Sequence, residues 1–445
     1  MDLNFVWAWI AIWLAALWVA VWQWFLIYKS MEVIGKNPKM SGFYLTTTIL
    51  GIALVESAAI YGLIIAFQIL SADFVNPLAA IGVWLSIGLS WLWVWIGEWL
   101  MLSGAIDAMN KDTENRNKIM TYMILFLALI ESAAIYGMIV AFQLLWDLDI
   151  SPYLSIGAWL AIGLAWLWAW VWEWIMAKKA IMLIWEKPKL TNFLLTITIL
   201  GIALVESAAI YGLIIAFNSM EANVVDSMVA VWAWLAVWLA WLWVWIGEWL
   251  MVSWAMEAMS IGRVNKSKIL TYMILFIALV ESAAIYGLII SFQILSWDIA
   301  WLAAIWAWLS IWLAWLWVWI GEWILSKKSI IVIWKRPSLS MFFLTVTILG
   351  IALVESAAIY GLVVSFKILS SPEMLSLAAL WAWLSIWFSA LWAGIWEGVL
   401  VWWTFDAMSR NPANKSKDLT FMILFLALVE VLAIYWLIIA FKIIW

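Results

Sequence analysis

Long apolar runs alternate with short polar stretches along the whole chain. In one copy of this pattern, an apolar run from Pro77 to Met101 is followed by a polar stretch at residues 108–118 and a second apolar run from Ile119 to Leu145. At a rise of about 1.5 Å per residue, each run is long enough to cross a hydrocarbon core of ~30 Å as a helix. The runs lack the alternating polarity of a barrel strand. The pattern therefore predicts a hairpin of two membrane-spanning helices.

The hairpin pattern occurs six times. A glutamate returns in the second apolar run at steps of 74 or 75 residues, in the context Glu-Ser-Ala-Ala-Ile-Tyr-Gly in five copies and Glu-Val-Leu-Ala-Ile-Tyr-Trp in the last. These glutamates are Glu56, Glu131, Glu206, Glu281, Glu355 and Glu430. We define hairpins 1 to 6 as residues 1–75, 76–150, 151–225, 226–298, 299–372 and 373–445. The predicted fold is all-α and integral to the membrane, with six tandem hairpins and twelve helices.

Composition agrees with a membrane protein. Hydrophobic residues make up 69% of the chain and charged residues only 11%, so a soluble domain would have too few polar side chains to cover its surface. The chain has no Cys and no His. Disulfides, thiolate or imidazole metal sites and histidine acid–base chemistry are therefore excluded, whereas ions bound through oxygen ligands remain open.

Charge placement predicts the orientation. Of the 22 Lys and Arg residues, all but Lys367 and Lys442 lie in or beside the six polar stretches inside the hairpins. Because positively charged loops stay on the cytoplasmic side, we expect these loops in the cytoplasm and both termini outside. Loops one, three and five resemble one another, as do loops two, four and six, which indicates that a unit of two hairpins was tripled.

The first helix of each hairpin carries Trp at alternate positions, as in residues 91–99. Aligned positions exchange Trp with Gly: residues 82, 157, 232, 306 and 381 read Gly, Gly, Trp, Trp and Trp. Closely packed helices do not exchange the largest side chain for the smallest, and interfacial Trp belongs near the ends of a span. We hypothesise that many of the 46 Trp residues are glycines, encoded by a reassigned stop codon that is translated here as Trp. The alternative is a helix that is truly rich in Trp.

A carboxylate buried in hydrocarbon is costly and is a functional site by default. Ser57 and Tyr61 are four residues apart, so they share a helix face next to Glu56, and their oxygens can help to frame an ion. The serine favours Na⁺, although a carboxyl alone would suffice for H⁺. The corresponding residues in the later hairpins are Ser132 and Tyr136, Ser207 and Tyr211, Ser282 and Tyr286, Ser356 and Tyr360, and Tyr435.

The first helix carries a second polar group at an aligned position. This group is Gln23 in hairpin 1 and then Glu98, Glu173, Glu248, Glu322 and Glu397. Two neighbouring carboxyls cannot both ionise unless a cation lies between them, so one is protonated or an ion bridges the pair. The alternative is that these acids only join helices by hydrogen bonds.

The c subunit, or proteolipid, of rotary ATP synthases is a hairpin with a glycine-rich first helix, a polar loop containing Asn-Pro or a similar sequence, and an essential acid on the second helix. The chain resembles this hairpin six times over, with Asn37-Pro38 and Asn411-Pro412 in two of its loops. The motif Glu-Ser-x-x-x-Tyr, with Gln or Glu on the first helix, is similar to the sodium-binding version of that family. The resemblance implies a site between adjacent hairpins of a ring, formed by these side chains and by the backbone carbonyl two residues before the acid. Those carbonyls belong to Leu54, Leu129, Leu204, Leu279, Leu353 and Leu428.

The resemblance also implies partners and a mechanism. Copies of the chain are expected to close a ring in lipid, with two chains preferred to three, next to a stator a-type subunit and with central-stalk subunits at the cytoplasmic loops. Na⁺ or H⁺ is the expected cargo, and a bacterial inner (plasma) membrane is the expected location. The sequence has no Gly-x-x-x-x-Gly-Lys-Ser/Thr phosphate loop, so we expect no nucleotide, no transition metal, no nucleic acid and no catalysis by the chain itself.

Two features depart from the family. Val431 stands where the other hairpins have Ser, so the hairpin 6 site is expected to bind only H⁺ or to work poorly. Six fused hairpins are unusual beside the single-hairpin F-type and double-hairpin V-type proteolipids, and the motif favours the F type. Other functional classes stay open, namely a twelve-helix cation-coupled transporter and a structural membrane oligomer that moves no ions. A transporter more often has broken helices around one substrate cavity, and a structural oligomer needs no acid in every copy.

Overall fold

The computed structural model describes residues 3–74, 76–112, 114–222, 228–260, 266–297, 299, 301–371 and 376–444. Regular structure in these residues is helical throughout, which confirms the predicted all-α class. The α-helices are α1 (Leu3–Lys36), α2 (Ser41–Val55), α3 (Ser57–Ser71), α4 (Ala80–Lys111), α5 (Arg116–Trp146), α6 (Pro152–Glu186), α7 (Thr191–Glu221), α8 (Val229–Ser260), α9 (Lys266–Ser296), α10 (Trp301–Lys335), α11 (Ser340–Val354), α12 (Ser356–Leu369), α13 (Ser376–Arg410) and α14 (Lys415–Ile444).

Each hairpin has two helical arms. The first arms are α1, α4, α6, α8, α10 and α13, and the second arms are α2 with α3, α5, α7, α9, α11 with α12, and α14. Short 3₁₀ turns that begin at a proline precede four second arms: Pro38–Met40, Pro188–Leu190, Pro337–Leu339 and Pro412–Asn414. Proline suits these starts because its fixed φ fits the first turn of a helix and its missing N–H costs nothing there.

Six segments of the described chain are long and apolar enough to cross a membrane. They are Pro38–Ser71, Pro188–Glu221, Trp301–Lys335, Pro337–Leu369, Leu377–Arg410 and Pro412–Ile444. The other six arms contain shorter apolar stretches, such as Asn4–Trp13 in α1 and Ile135–Trp146 in α5. Their helices are nevertheless 31 to 35 residues long, which exceeds the ~20 residues that a span needs.

The helices extend further into the polar stretches than the sequence pattern predicts. The pattern predicts a loop over residues 108–118, but α4 continues to Lys111 and α5 begins at Arg116. Charged residues such as Lys111 and Arg116 are compatible with a helix whose end lies in water. A helix can therefore continue beyond the apolar run into the polar stretch. The connection between the two arms of hairpin 2 is therefore only a few residues long.

The chain forms two compact units, Met1–Ala222 and Asn223–Trp445. In the first unit, α4 packs between α1 and α6, and the second arms pack mainly against these first arms. In the second unit, α10 packs between α8 and α13 in the same manner. Each unit therefore has a tightly packed row of first arms and a looser row of second arms.

Small residues bring the first arms together. A Cβ atom added to Gly321 of α10 would collide with the carbonyl oxygen of Gly394 in α13, and one added to Gly398 would collide with the backbone of Gly321. Only glycine permits backbones to approach so closely, as in other helix pairs in membranes. Within a hairpin, hydroxyl pairs join the two arms near the loops: Thr48 Oγ1 lies 2.6 Å from Ser30 Oγ, and Ser329 Oγ lies 2.5 Å from Thr347 Oγ1.

Candidate ion-binding site

The repeated glutamates lie midway along the second arms. In hairpins 1 and 5 the helix is interrupted by a turn at Glu56 and at Glu355. At each turn the residue three positions later, Ala59 or Ala358, donates its backbone N–H to the glutamate carbonyl at 3.0 Å. In the other four hairpins the helix is continuous through the acid. Short i→i+3 turns within helices often mark functional positions.

The acids on the first arms are buried. Glu98, Glu173, Glu248, Glu322 and Glu397 are all almost fully enclosed. Neither carboxylate oxygen of any of these five residues has a hydrogen-bond partner. Buried polar groups are nearly always hydrogen-bonded, and a buried charge needs a partner. These carboxyls are therefore either protonated or completed by a ligand.

Each polar group on a first arm faces the glutamate on the second arm of the same hairpin. In hairpin 1, Gln23 Nε2 donates to Glu56 Oε1 at 3.0 Å. In the later hairpins two carboxyls interact electrostatically, and the pairs are Glu98 with Glu131, Glu173 with Glu206, Glu248 with Glu281, Glu322 with Glu355, and Glu397 with Glu430. In the described part of the chain no three acidic side chains come together, so two is the largest group of carboxyls.

The tyrosine next to a pair of acids comes from the preceding hairpin. Tyr360 of hairpin 5 donates its hydroxyl to Glu430 Oε1 of hairpin 6 at 2.8 Å. Tyr286 of hairpin 4 interacts electrostatically with Glu355 of hairpin 5. In these two cases the phenol of one hairpin lies beside the acid of the next hairpin. The sequence pattern predicts serine and tyrosine beside the acid of their own helix, and only the family resemblance implies a site between hairpins.

Other predicted ligands remain predictions. Ser356 lies one helical turn before Tyr360 in α12, so both residues share the face towards hairpin 6. The side chains of Ser57, Ser132, Ser207 and Ser282 lie outside the described residues. Leu54 and Leu353 come two residues before the turns at Glu56 and Glu355, which is the position that the resemblance assigns to a carbonyl ligand.

Charged residues at the loop end of the apolar run connect the first arms. Lys29 Nζ lies 2.9 Å from Asp107 Oδ1 in the next hairpin, and Lys328 Nζ lies 2.5 Å from Asp406 Oδ1. Burial lowers the pKa of Lys29, but hydrogen bonds to Asp107 and Glu32 outweigh burial and raise that pKa overall. Hydrogen bonds from Lys36 and Lys29 lower the pKa of Glu32. In both described cases the ion pair joins an odd-numbered hairpin to the even-numbered hairpin after it.

Comparison with known proteins agrees with this repeated site. The sequence profile of the ATP synthase c subunit family matches residues 6–69, 81–144, 156–218, 231–294, 305–368 and 380–443. The chain belongs to this family. Six tandem matches confirm the resemblance to the c subunit, and the apolar helices agree with an integral membrane protein. The similarity to the sodium-binding version of the family stays a prediction.

Individual relatives in the ATP synthase c subunit family match one hairpin-sized segment. The ATP synthase c subunit of Clostridioides difficile (strain 630) is 45% identical over 49 residues, which are 11% of this chain and 54% of the relative. That of Chloroflexus aurantiacus (strain J-10-fl) is 34% identical over 58 residues, 13% of this chain and 76% of the relative. The c subunit of Geotalea uraniireducens (strain Rf4) is 38% identical over 64 residues, which are 14% of this chain and 67% of the relative. The chain thus spans about half the length of the first of these relatives.

Proposed function

We propose that this chain is a rotor component of a rotary ATP synthase or ATPase and carries one cation on each hairpin. The observation that carries the proposal is the repeated acid pair: five buried first-arm carboxyls without hydrogen-bond partners, each facing the glutamate of its own hairpin. Such a pair cannot stay doubly ionised in hydrocarbon. If the first-arm carboxyl stays protonated, one cation bound at the second-arm glutamate makes the pair neutral, and release of that cation restores one negative charge.

In this mechanism the carboxyl pair alternates between a neutral and a charged state. A cation enters from one half-channel of a stator a-type subunit and neutralises the glutamate, and the neutral hairpin then moves through lipid as the ring turns. The cation leaves through a second half-channel, where the exposed charge is stabilised. Each elementary charge that crosses ~100 mV delivers about 2.3 kcal/mol, so several steps are combined for each ATP.

We propose Na⁺ as the cargo, with H⁺ as the alternative. Oxygen ligands are available around Glu430 from Tyr360 and Glu397, and Ser356 lies on the same face as Tyr360. Hard cations prefer carboxylate, hydroxyl and carbonyl oxygens. A proton would need only one carboxyl of the pair and none of the hydroxyl groups.

The proposed setting is a bacterial inner membrane with the hairpin loops in the cytoplasm. Central-stalk subunits would contact these loops, where nearly all of the Lys and Arg residues lie. Catalysis of ATP formation would belong to other subunits of the complex. The motif Glu-Ser-Ala-Ala-Ile-Tyr-Gly favours an F-type complex over a V-type one.

Carbodiimide labelling tests the proposal. The reagent attacks protonated carboxyls in apolar surroundings, and peptide mass mapping reports the adduct at each glutamate of the purified protein. We expect Na⁺, but not K⁺ at equal ionic strength, to protect Glu131, Glu206, Glu281, Glu355 and Glu430. Glu32, which lies outside the apolar run, serves as the internal control.

Two results would change or overturn the proposal. Labelling that responds to pH but not to Na⁺ would make H⁺ the cargo. If the second-arm glutamates did not react at any pH or cation concentration, they would not exchange a proton or an ion, and the proposal would fail. Glu131→Gln is the matched control, because it removes one reactive carboxyl and leaves the other hairpins intact.

A further inference from the structure

The contacts between consecutive hairpins follow a period of two. Within the compact units, an odd-numbered hairpin packs against the next even-numbered one between hairpins 1 and 2 and between hairpins 5 and 6. An even-numbered hairpin packs against the next odd-numbered one between hairpins 2 and 3 and between hairpins 4 and 5. We call these odd-to-even and even-to-odd contacts. Pairs of aligned positions at the loop end, on the first arms and within the membrane hold different side chains in the two kinds of contact.

The first pair of positions lies where the second arms begin. In odd-to-even contacts, a cation of the even hairpin lies over an aromatic ring of the odd hairpin, which attracts it. The pairs are Arg116 with Phe43 at 5.1 Å from the ring centre and Lys415 with Phe342 at 5.0 Å. In the even-to-odd contact between hairpins 4 and 5, the aligned residues are Lys268 and Ser340, and Lys268 Nζ donates to Ser340 Oγ at 3.4 Å. The even hairpin thus supplies the cation in both kinds of contact, and its odd neighbour supplies a neutral partner.

The second pair of positions lies on the first arms. Odd-to-even contacts hold the ion pairs Lys29 with Asp107 and Lys328 with Asp406. The aligned residues are Gly104 and Met182 between hairpins 2 and 3, and Trp254 and Ile331 between hairpins 4 and 5. All four of these residues are neutral. A lysine that met Met182 or Ile331 in place of an acid would be a partly buried charge without a partner, which is costly.

The third pair of positions lies within the membrane, on the loop side of the acids. In odd-to-even contacts a glycine of the second arm faces a larger residue of the next first arm. A Cβ atom added to Gly51 would lie 3.2 Å from Leu102 Cδ2, and one added to Gly350 would lie 3.2 Å from Val401 Cγ1. In even-to-odd contacts the sizes are reversed, and the aligned residues are fully buried. They are Phe126 with Ala177 and Phe276 with Ser326.

A hairpin next to another of its own type would be mismatched at all of these positions. Two successive even hairpins would bring two cations together at the loop end and press a phenylalanine against a leucine or valine, which overpacks the contact. Two successive odd hairpins would leave a lysine without its acid and set a glycine opposite an alanine or serine, which leaves a void. Charge and size therefore disfavour the same wrong neighbours.

We infer that odd and even hairpins are two complementary types, each with a face that accepts only the other type as its successor. The face of an odd hairpin fits a neighbour with an acid and a large apolar residue on its first arm and a cation where its second arm begins. The face of an even hairpin fits a neighbour with small and neutral residues at these positions and a hydroxyl group where its second arm begins. The unit that can be added to the chain or removed from it without a mismatch is therefore a pair of hairpins.

Exchange of side-chain sizes within the membrane tests the inference in the full chain. Gly51→Phe gives hairpin 1 the residue of an even hairpin, and we expect the midpoint of thermal unfolding in detergent to fall by about 5 °C, because the ring collides with Leu102. Adding Leu102→Ala copies the pair Phe126 and Ala177 and should restore most of the loss. Val401→Ala is the matched control in the same background, because it shrinks the aligned residue of another contact, and it should restore nothing.

Two results of this exchange would overturn the inference. One is the absence of any recovery with Leu102→Ala, and the other is an equal recovery with Val401→Ala. If Gly51→Phe gives no folded protein, the reverse exchange decides in its place. Phe126→Gly should lower the midpoint because it leaves a void, and Ala177→Leu should restore part of that loss by copying the pair Gly51 and Leu102. Losses that simply add would count against complementary types.

A second exchange at the loop end tests the charges. Phe43→Lys sets a lysine beside Arg116, as two successive even hairpins would, and we expect the midpoint to fall by about 2 °C at low salt and by less at high salt, which screens the repulsion. Adding Arg116→Ser copies the pair Lys268 and Ser340 and should remove the salt-dependent loss. Lys415→Ser in the same background is the control and should leave the loss unchanged. If Arg116→Ser had no effect, or no more effect than the control, the loop ends would not distinguish the two types and the inference would fail.

Discussion

At the scale of single residues, the informative contact is the phenol that crosses between hairpins. The Tyr360 hydroxyl donates to Glu430 at 2.8 Å, and a hydrogen bond to a charged group contributes about 1.5–3 kcal/mol. The donor stabilises the ionised carboxylate and orients it towards the space between the hairpins. Under the proposed function, we expect this hydrogen bond to favour cation binding at Glu430.

Tyr360→Phe removes this donor while keeping the ring. We expect Glu430 to need roughly tenfold more Na⁺ for protection from carbodiimide, because the bond that orients its carboxylate is lost. Glu355, which lies in the same hairpin as the mutation, should behave as in the unmodified protein. Tyr153→Phe, at an exposed tyrosine, is the control. An effect at Glu355 and none at Glu430 would contradict the direction in which the structure pairs these residues.

At the scale of helices, α10 and α13 are joined by an ion pair at one end of their contact. Lys328 is largely buried, lies 2.5 Å from Asp406 and also has the Trp402 ring 4.4 Å from its amino group. Breaking a buried pair by removing one partner is costly because the other charge is left uncompensated. Asp406 is partly exposed, so water screens part of that cost.

We therefore expect Asp406→Asn to destabilise the protein by about 1–3 kcal/mol, which combines the buried-pair penalty with solvent screening. In a Lys328→Met background the same substitution should cost much less, since no unpaired ammonium remains. Thermal unfolding in detergent measures all four members of this double-mutant cycle. Equal costs in both backgrounds would show that the two side chains are not coupled.

The first arms also bear on the tryptophan hypothesis. A Cβ atom added to Gly97 would lie 2.6 Å from Trp174 Cδ1, so this position has no room for a larger side chain. The repeat nevertheless has Trp at the corresponding positions 172 and 396. Many indole N–H groups are buried without a hydrogen-bond partner, whereas buried Trp usually finds one. These include Trp7, Trp84, Trp159, Trp174, Trp232, Trp234, Trp306, Trp308, Trp312, Trp315, Trp317, Trp323, Trp334, Trp383 and Trp387.

The hypothesis predicts the intact mass of the protein purified from its natural source. Each glycine in place of a tryptophan lowers the mass by a fixed amount, so the total deficit counts the exchanged positions, and peptide sequencing assigns them. The same gene expressed in a host that reads the reassigned codon as Trp provides the reference mass. A natural protein with the same mass as this reference would contradict the hypothesis.

Hairpins, acids and family could be predicted from the sequence because each depends on a local pattern. The run from Pro77 to Met101 is apolar enough to indicate a span, and the motif after Glu56 is distinctive. The ends of α4 and α5 could not be predicted, because charged residues at a helix end are compatible with both helix and loop. The partner of Tyr360 could not be predicted from its own helix either, because it depends on how consecutive hairpins pack.

At the scale of the whole molecule, each copy of the chain brings six second-arm glutamates, one in each hairpin. The number of these glutamates in a ring of such copies would be a multiple of six. A closed ring of such chains would contain six hairpins for each copy. Closed rotational symmetry is the usual form of such assemblies. We expect two chains, hence twelve hairpins, in the intact ring.

Native mass spectrometry of the detergent-released ring checks this number directly. The expected mass is twice that of the chain, and dissociation should release single chains. A mass three times that of the chain would replace two copies by three. A particle with the mass of one chain would contradict the ring of several copies.

Covalent fusion of the hairpins also limits how such a motor can evolve. A ring of separate hairpins can gain or lose one carrier and so adjust its gear ratio, the number of ions per revolution, in small steps. In a ring made only of copies of this chain, that ratio would change by six carriers at a time. Smaller adjustments of the motor to a weaker or stronger membrane potential would therefore require changes in the binding site of single hairpins. Fusion allows such changes, because each hairpin of the chain is encoded by its own stretch of the gene.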